Sequence, residues 1–402
     1  MRKPRPWLLL LLRHSSSALR CVRVHAISDL HVDHDANLDF VRSLERPTGD
    51  GFQALVVAGD VSADLGRTRE ALSALAAAYD RVFYVPGNHE AWVTKGDRDA
   101  GLADSLRKLE AAEAAAAACG CAVAAETLAD DAGRAVTVAP LRAWPHASHD
   151  VEPDLPGEPD PADRRSFARR WADFRRCRWP AALLGAAGGD PRPHGLGAGD
   201  AALSRHFAAS NDVAHLSGPL VTFSHFSPRR ECVPEKRFLL EPSLAKVAGS
   251  DDLGRVVAAL RPDVHVFGHT HIPVDLDLDG TYHVQWPLGS PREQARQCAR
   301  VRRHGPLEIY ATDGGVARLG SPGALERTAW GEYYATHDRD PAATELAPWV
   351  QAYRQRRNYA PAKARVPRHA GYDDDVRKLA DPDPVSYTHL RAHETLRYLV
   401  CR

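Results

Sequence analysis

Cysteine, net charge and long hydrophobic runs are all scarce in this 402-residue sequence. The seven cysteines include no CxxC pair, and the isolated Cys119 and Cys121 do not form a zinc-site pattern, which indicates a reduced, intracellular protein. Lysine plus arginine and aspartate plus glutamate each number 52, so no global field attracts nucleic acid, and none is expected as a partner. The apolar run at residues 7–12 is too short to cross a bilayer, and no membrane span is predicted.

The two ends of the chain have unusual compositions. Residues 1–20 contain five basic residues and no acidic one, which suits either an organelle transit peptide or a start assigned too far upstream. We therefore expect residues 1–21 to be a targeting or mis-assigned segment. The expected location is cytoplasmic, or organellar if that segment is a transit peptide. Residues 385–402 back-translate into DNA that resembles a transposase-type sequencing adapter, and we predict that they are an artefact.

Apolar, β-rich runs alternate with helical patterns, which predicts an α/β domain over residues 22–300. Predicted strands cover residues 22–27, 54–58, 81–85, 122–125, 135–138, 220–223, 264–267, 274–278 and 282–286. Predicted helices cover residues 67–79, 102–118 and 252–260, where apolar residues recur at helical spacing. Residues 301–384 are polar, rich in arginine and proline, and weakly patterned, so we expect a partly disordered C-terminal extension.

An insertion into this domain is predicted at about residues 145–215. Stretches rich in proline, glycine or acidic residues at 150–163 and 185–200 predict loops. Between them, residues 164–178 are predicted as one helix with Phe167, Trp171 and Phe174 along one stripe. Its seven arginines either contact an anionic substrate or form a solvated face, and the amphipathic pattern favours the second.

Five short polar blocks follow predicted apolar strands. They are Ser28-Asp29-Leu30-His31, Ala58-Gly59-Asp60, Gly87-Asn88-His89-Glu90, Ser224-His225-Phe226 and Gly268-His269-Thr270-His271. Side chains from such loops meet at one edge of an α/β sheet. Aspartate, asparagine and histidine donors suit Mn, Fe or Zn rather than Ca. Two ions about 3.5–4 Å apart need a shared carboxylate, and Asp60 is well placed to supply it.

No single block identifies a function. Asp-x-His and Gly-Asp pairs are common, and a lone histidine such as His225 is more often a hydrogen-bonded core residue. The ordered set is far more specific, because five such coincidences at strand ends are improbable in a purely structural sequence.

The five blocks together resemble the signature of the calcineurin-like metallophosphoesterase superfamily, DxH, GD, GNH(D/E), H and GHxH. The resemblance covers about residues 22–286. It implies a four-layer α-β-β-α sandwich of two mixed β-sheets and two divalent or mixed-valence transition metal ions (Mn, Fe or Zn). It also implies hydrolysis of phosphate mono- or diesters by attack of a metal-bridging hydroxide.

The resemblance also assigns roles by motif position. One metal would be held by Asp29, His31 and His271, and the other by Asn88, His225 and His269, with Asp60 bridging them. His89 would be the non-ligand histidine that stabilises the phosphate and protonates the leaving oxygen. Lys236, Arg237 and Arg292 follow or flank the blocks, and we expect them either to bind the substrate phosphate or to form surface salt bridges.

The residues that follow Asp60 differ from those of two branches of this superfamily. Ala63 stands three residues after Asp60, where purple acid phosphatases have tyrosine and serine/threonine phosphatases have aspartate. Asp64 lies one position later, and whether it orients His89 stays open at this point. Residues 234–240 and 286–293 look like a plant, algal and bacterial-type branch.

Two other functions stay open at this point. A metal-free protein-binding scaffold on the same fold would not need the complete ligand set that this sequence retains. A nuclease is disfavoured by the zero net charge and by the lack of aromatic residues interleaved with basic ones near the blocks.

Overall fold

A computed structural model describes residues 21–156, 158, 164–184, 198–295 and 298–356. The predicted N-terminal segment (residues 1–20), most of the loop predicted at 185–200, and the adapter-like residues 385–402 lie outside this range. Within the described residues, no helix is both long enough and apolar enough to cross a membrane.

The first β-sheet has five strands in the order β11-β10-β1-β2-β3. They are β1 (Cys21–Ile27), β2 (Gly51–Ala58), β3 (Arg81–Val85), β10 (Leu307–Ala311) and β11 (Gly315–Val316). β1, β2 and β3 are parallel, whereas β10 runs antiparallel to β1. The three parallel strands are largely apolar and buried, as expected of strands that are covered on both faces.

The second β-sheet has six strands in the order β4-β5-β6-β7-β9-β8. They are β4 (Glu126–Ala129), β5 (Ala135–Pro140), β6 (Leu220–Phe223), β7 (Val264–Phe267), β8 (Val274–Leu278) and β9 (Thr281–Gln285). β5, β6, β7 and β9 are parallel, and the two edge strands β4 and β8 are antiparallel to their neighbours.

Thirteen α-helices are present in the described residues. They are α1 (Asp35–Arg42), α2 (Leu65–Ala78), α3 (Lys95–Asp99), α4 (Ser105–Ala118), α5 (Arg164–Arg170), α6 (Asp173–Arg176), α7 (Ala181–Leu184), α8 (Ala198–Ala209), α9 (Asp251–Leu260), α10 (Pro291–Gln294), α11 (Ala299–His304), α12 (Ala329–Thr336) and α13 (Pro348–Arg356). The longer helices begin at polar caps: Asp64 accepts a hydrogen bond from the backbone of α2, Asp104 from α4 and Ser250 from α9.

The two sheets share one hydrophobic core. Val24 and Val56 of the first sheet and Val221 and Val266 of the second belong to the same cluster of buried side chains. α2 and α4 pack on the first sheet against β3. The predicted α/β fold, with two mixed sheets flanked by helices, is confirmed.

Two predicted elements differ from the structure. The strand predicted at 122–125 is instead β4, four residues later, and Ala122 forms only an isolated bridge with Phe83. The single helix predicted at 164–178 is broken between α5 and α6. Its aromatic stripe is present, since Phe167 and Trp171 are buried in one cluster and Phe174 packs against it.

The end of the domain also differs from the prediction. The sequence placed the boundary at residue 300, but β10 lies beside β1 and pairs Tyr310 with Val24. β10 is only five residues long and stands between polar segments, so its pattern is weak in the sequence. Described residues 301–356 are therefore part of the fold, and the rest of the predicted extension, 357–384, lies outside the described residues.

Candidate metal centre

Each polar block lies at the carboxyl end of a parallel strand. Asp29 and His31 follow β1, Asp60 follows β2, Asn88 and His89 follow β3, His225 follows β6, and His269 and His271 follow β7. The β1 and β7 blocks are joined directly, because the backbone N–H of His269 donates to Asp29 Oδ1 at 2.8 Å. The two sheets therefore present these side chains to one another at a shared edge.

The backbone of these loops is strained. Seven described non-glycine residues have φ in the left-handed region, and five of them are predicted ligands: Asp29, His31, Asp60, His269 and His271, with φ between 43° and 74°. Each such residue costs free energy that the surrounding structure must offset, and such residues cluster at functional sites.

Two glycines of the blocks leave room for the ligand side chains. Gly59 has φ of 79°, and a β-carbon there would lie 2.5 Å from His225 Nδ1. A β-carbon at Gly87 would collide with the Asp60 carboxylate. Glycine is required at both positions because the backbone passes directly against the site.

The predicted ligands form two groups. Asp29, His31, Asp60 and His271 present donor atoms within 4.8 Å of one another, as do Asp60, His225 and His269. Asn88 joins the second group, since its Oδ1 lies 2.9 Å from both His225 Nε2 and His269 Nδ1. All seven side chains are buried, and Asp60 belongs to both groups.

The residues present fit a pair of metal ions. In the described part of the chain, Asp60 Oδ2 is buried without a hydrogen-bond partner, which is costly unless a cation or a further donor is supplied. His31 Nε2 lies 2.8 Å from His271 Nε2, so the two nitrogens are close enough to bind the same ion. The donors are carboxylate oxygens, an amide oxygen and imidazole nitrogens, which suit Mn, Fe or Zn.

The electrostatics of the site favour positive charge. Burial would raise the pKa of Asp60, but His225 and His89 hold it well below its usual value. Conversely, burial would lower the pKa of His225, but the Asp60 carboxylate raises it to about 9. Glu293 and Asp29 raise the pKa of His271 well above its usual value against the same effect of burial. Buried carboxylates thus create a negative potential in which cations are stabilised.

His89 lies at the side of the two groups. Its Nε2 is 3.6 Å from Asp60 Oδ2, and its backbone N–H donates to Asp60 Oδ1 at 2.9 Å. The ring stacks on Trp92, with centroids 3.7 Å apart, which fixes its orientation. His89 also forms a third group of donor atoms with His31 and Asp33.

Two acidic residues orient the predicted ligands, and neither of them was predicted from the sequence. Both carboxylate oxygens of Glu293 lie within 3.1 Å of His271 Nδ1. Asp173 Oδ1 accepts a hydrogen bond from Asn88 Nδ2 at 2.9 Å. Such partners fix the orientation of a ligand and tune its basicity. Glu293 had a sequence signal, the capping box Ser290-x-x-Glu293 of α10, whereas Asp173 comes from the insertion without one.

Glu90 holds the loops of the centre together. Its carboxylate accepts hydrogen bonds from the backbone N–H groups of Asp60, Val61, Ser62 and Gly87. Burial, and then the neighbouring Asp60 charge, raise the pKa of Glu90 to about 7. Asp64, which the sequence left as a candidate to orient His89, instead caps α2 by accepting a hydrogen bond from the Arg67 N–H.

The three predicted substrate-binding residues have different surroundings. Lys236 is buried, and its Nζ contacts carboxylates of the insertion, including Asp150 at 2.8 Å, which is the salt-bridge alternative rather than substrate binding. Arg237 lies over the Phe238 ring, and its guanidinium is 3.7 Å from Glu235. Arg292 is exposed on α10. In the described part of the chain, no ion pair or hydrogen bond joins Arg237 or Arg292 to the predicted ligands.

The fold of two mixed sheets brings together two donor groups that share the Asp60 carboxylate, which is a candidate metal centre. A family model for calcineurin-like phosphoesterases matches residues 22–122, which contain the first three blocks. This part of the chain is therefore similar to calcineurin-like phosphoesterases. The family prediction and the hydrolase class are confirmed at this level.

Two relatives are similar to parts of the chain. The [acyl-carrier-protein] phosphodiesterase PptH of Mycobacterium tuberculosis is 42% identical over 72 residues, which are 18% of this chain and 22% of PptH. The aligned stretch thus spans about a fifth of that relative.

The crystal structure of phosphopantetheinyl hydrolase PptH from the same organism has a TM-score of 0.50 and 23% identity, and covers 71% of this chain and 93% of its own. That likeness supports the fold alone. The structure of the Thermus thermophilus protein TT1561 has 14% identity and a TM-score of 0.31, covering 67% of this chain and 90% of its own, too low for any argument.

Proposed function

We propose that this protein is a dinuclear metal-dependent phosphoesterase that hydrolyses phosphate mono- or diesters. Two groups of side chains would hold the ions: Asp29, His31 and His271 the first, and Asn88, His225 and His269 the second, with Asp60 available to both. The observation that carries the proposal is the shared Asp60: one buried carboxylate belongs to both donor groups and has an oxygen without a hydrogen-bond partner among the described residues.

When bound, the two ions supply Lewis acidity toward the phosphate and lower the pKa of a water that serves as nucleophile. The protein supplies the proton for the leaving group. His89 is buried beside Asp60, is held by its stacking on Trp92, and carries a proton at Nε2 toward the leaving oxygen. Glu293 and Asp173 keep His271 and Asn88 in their orientations during the reaction.

A phosphodiester is the substrate class we propose first. The support is the local similarity to PptH, whose name describes a phosphodiesterase that acts on acyl-carrier protein. Comparing bis-p-nitrophenyl phosphate with p-nitrophenyl phosphate separates a diesterase from a monoesterase, since the two esters share a leaving group.

Metal analysis tests the proposal directly. Purified protein is expected to carry about two transition-metal ions per chain and to hydrolyse at least one of the two esters. Asp60→Asn should lose more metal than any other single ligand substitution, because it weakens both ion sites. Asp39→Asn is the matched control, since Asp39 is an exposed carboxylate on α1. A protein with no Mn, Fe, Co or Zn and no activation by them would contradict the proposal and favour the scaffold alternative.

A further inference from the structure

The insertion reaches the metal centre through α6. The Asp173 carboxylate accepts hydrogen bonds from Asn88 Nδ2 and, at 2.6 Å, from Trp92 Nε1. One helical turn later, the backbone carbonyl of Arg176 accepts the Val93 N–H at 3.0 Å. These contacts fix α6 against the block that carries Asn88 and His89.

Arg176 is thereby placed one aromatic ring away from His89. Its guanidinium carbon lies 4.6 Å from the centroid of the Trp92 ring, and that ring also stacks on His89. Trp92 is buried, whereas Arg176 is only partly buried.

The charge of Arg176 is only partly compensated. In the described part of the chain, no carboxylate lies within ion-pair distance of its guanidinium; Asp173 and Asp33 act on it from farther away. Asp173 already accepts two hydrogen bonds, and Asp33 accepts one from Ser62 Oγ at 2.8 Å. Burial lowers the pKa of Arg176 despite both carboxylates. A guanidinium that has lost hydration without gaining an ion pair binds anions well.

Other arginines of the insertion already have partners. Arg170 forms an ion pair with Glu241, and Arg175 donates to the backbone carbonyls of Ala168 and Arg169. Those contacts stabilise the insertion itself and its packing against Glu241. Arg176 instead faces the block of the metal centre.

We propose that Arg176 forms an anion-binding subsite that takes a second negatively charged group of the substrate, a carboxylate or phosphate next to the scissile phosphate. The inference rests on the proposed function, because it places the scissile phosphate at the two donor groups. The preferred substrates are accordingly phosphate esters with an acidic group close to the ester, and the insertion selects them.

A pair of non-hydrolysable ligands tests the subsite: ethylphosphonate and 3-phosphonopropionate, which adds one carboxylate. Calorimetry on the metal-loaded protein should give about 10-fold or more tighter binding of 3-phosphonopropionate. Arg176→Gln should bring the ratio of the two affinities to about one. Arg169→Gln, which removes an exposed arginine of the same insertion, should keep the wild-type ratio.

The outcomes separate the two proposals. Equal binding of both phosphonates by the wild type, binding of neither, or a preference that survives Arg176→Gln would overturn the subsite. If Arg176→Gln lowers the thermal midpoint, Arg176→Met replaces it, since its side chain preserves the contact with Trp92; an unchanged preference there also overturns the subsite. A preference that Arg176 controls, in a protein that hydrolyses no phosphate ester, supports the subsite and contradicts the proposed function instead.

Discussion

At the scale of single residues, the metal centre is built from unfavourable backbone conformations. Five predicted ligands adopt left-handed φ values without being glycine. Each costs of the order of 1–3 kcal/mol. The strands β1, β2 and β7 anchor these turns on buried, hydrogen-bonded backbone, so the fold can hold them in place. Pre-positioned donors bind ions with little further ordering.

The role of His89 is testable at this scale. His89→Ala should retain both metals, while kcat falls by about 10²–10⁴ for esters with alkoxide-like leaving groups. The loss should be small for an activated aryl ester, whose leaving group needs no proton. Metal content and a leaving-group series, measured on the same preparation, check both parts.

His225→Ala is the matched comparison for His89→Ala. Its ring lies 3.3 Å from Asp60 Oδ1 inside the second donor group, so metal content should fall and all esters should slow together. A His89→Ala protein that loses metal, or slows both classes of ester equally, would contradict the assignment of His89 as leaving-group acid. It would instead favour His89 as a ligand in its group with His31 and Asp33.

At the scale of elements, the second sheet holds two buried histidines side by side. His265 of β7 and His283 of β9 are paired in register, and both are shielded from solvent. Burial lowers the pKa of His283 to about 4, although its hydrogen bond to the Thr281 carbonyl opposes the shift. Of the charged neighbours, Arg229 lowers this pKa further, whereas Glu231 and Asp277 raise it.

The low pKa of His283 predicts that acid destabilises the folded protein. The pKa of His283 is about 4 when folded and 6.5 when unfolded, so the unfolded state takes up the proton first as pH falls. Neutral His283 contributes its full stabilisation of the folded state above pH 6.5. This contribution decreases as the pH falls from 6.5 to 4, and the loss in the free energy of unfolding is about 3 kcal/mol at pH 4. Urea unfolding of metal-free protein should show a smaller acid-induced loss for His283→Gln. His215→Gln, at an exposed position, should behave like the wild type, and equal losses in all three proteins would refute the prediction.

The insertion is the element that local patterns described least well. Residues 164–178 have the composition of one amphipathic helix, yet the chain bends at Trp171 and Ala172. Trp171 is buried with Phe167, while Asp173 faces Asn88 and Trp92. A straight helix cannot satisfy both contacts, because residues two apart point in different directions.

At the scale of the whole molecule, the C-terminal part of the described chain completes the fold. β10 covers the edge of β1, and α12 packs against β8 of the other sheet. A chain that ends at residue 300 would leave β1 as an exposed apolar edge. β1 leads directly into Asp29 and His31, so damage to this strand reaches the metal centre.

Truncations test this arrangement. Chains ending at residue 384 or 356 should keep the thermal midpoint and metal content of the full-length protein, because every described element remains. The chain ending at residue 300 should give insoluble or metal-poor protein. Circular dichroism melting and elemental analysis compare the three. Loss of folding on removing residues 385–402 alone would contradict their assignment as an adapter artefact, as would their detection by mass spectrometry in protein from its natural source.

The strands that carry the site, and the donor residues that follow them, could be predicted from the sequence alone. Those strands are short apolar runs, such as residues 81–85 and 264–267, and the donors follow within a few residues. Both signals are local, so they can be read without knowing which strands are neighbours. The donors that the resemblance groups together lie close to one another in the structure, and Asp60 belongs to both groups.

The distant residues that support those donors could not be predicted from the sequence, because they come into contact only in the folded protein. Asp173 is 85 residues from Asn88 in the chain, and Glu293 is 22 residues from His271. One of the two strands beside β1, β10, lies beyond residue 300, and the Lys236 ammonium is paired with carboxylates of the insertion. Such pairings depend on which surfaces meet when the two sheets pack, and a single sequence has no local pattern that records them.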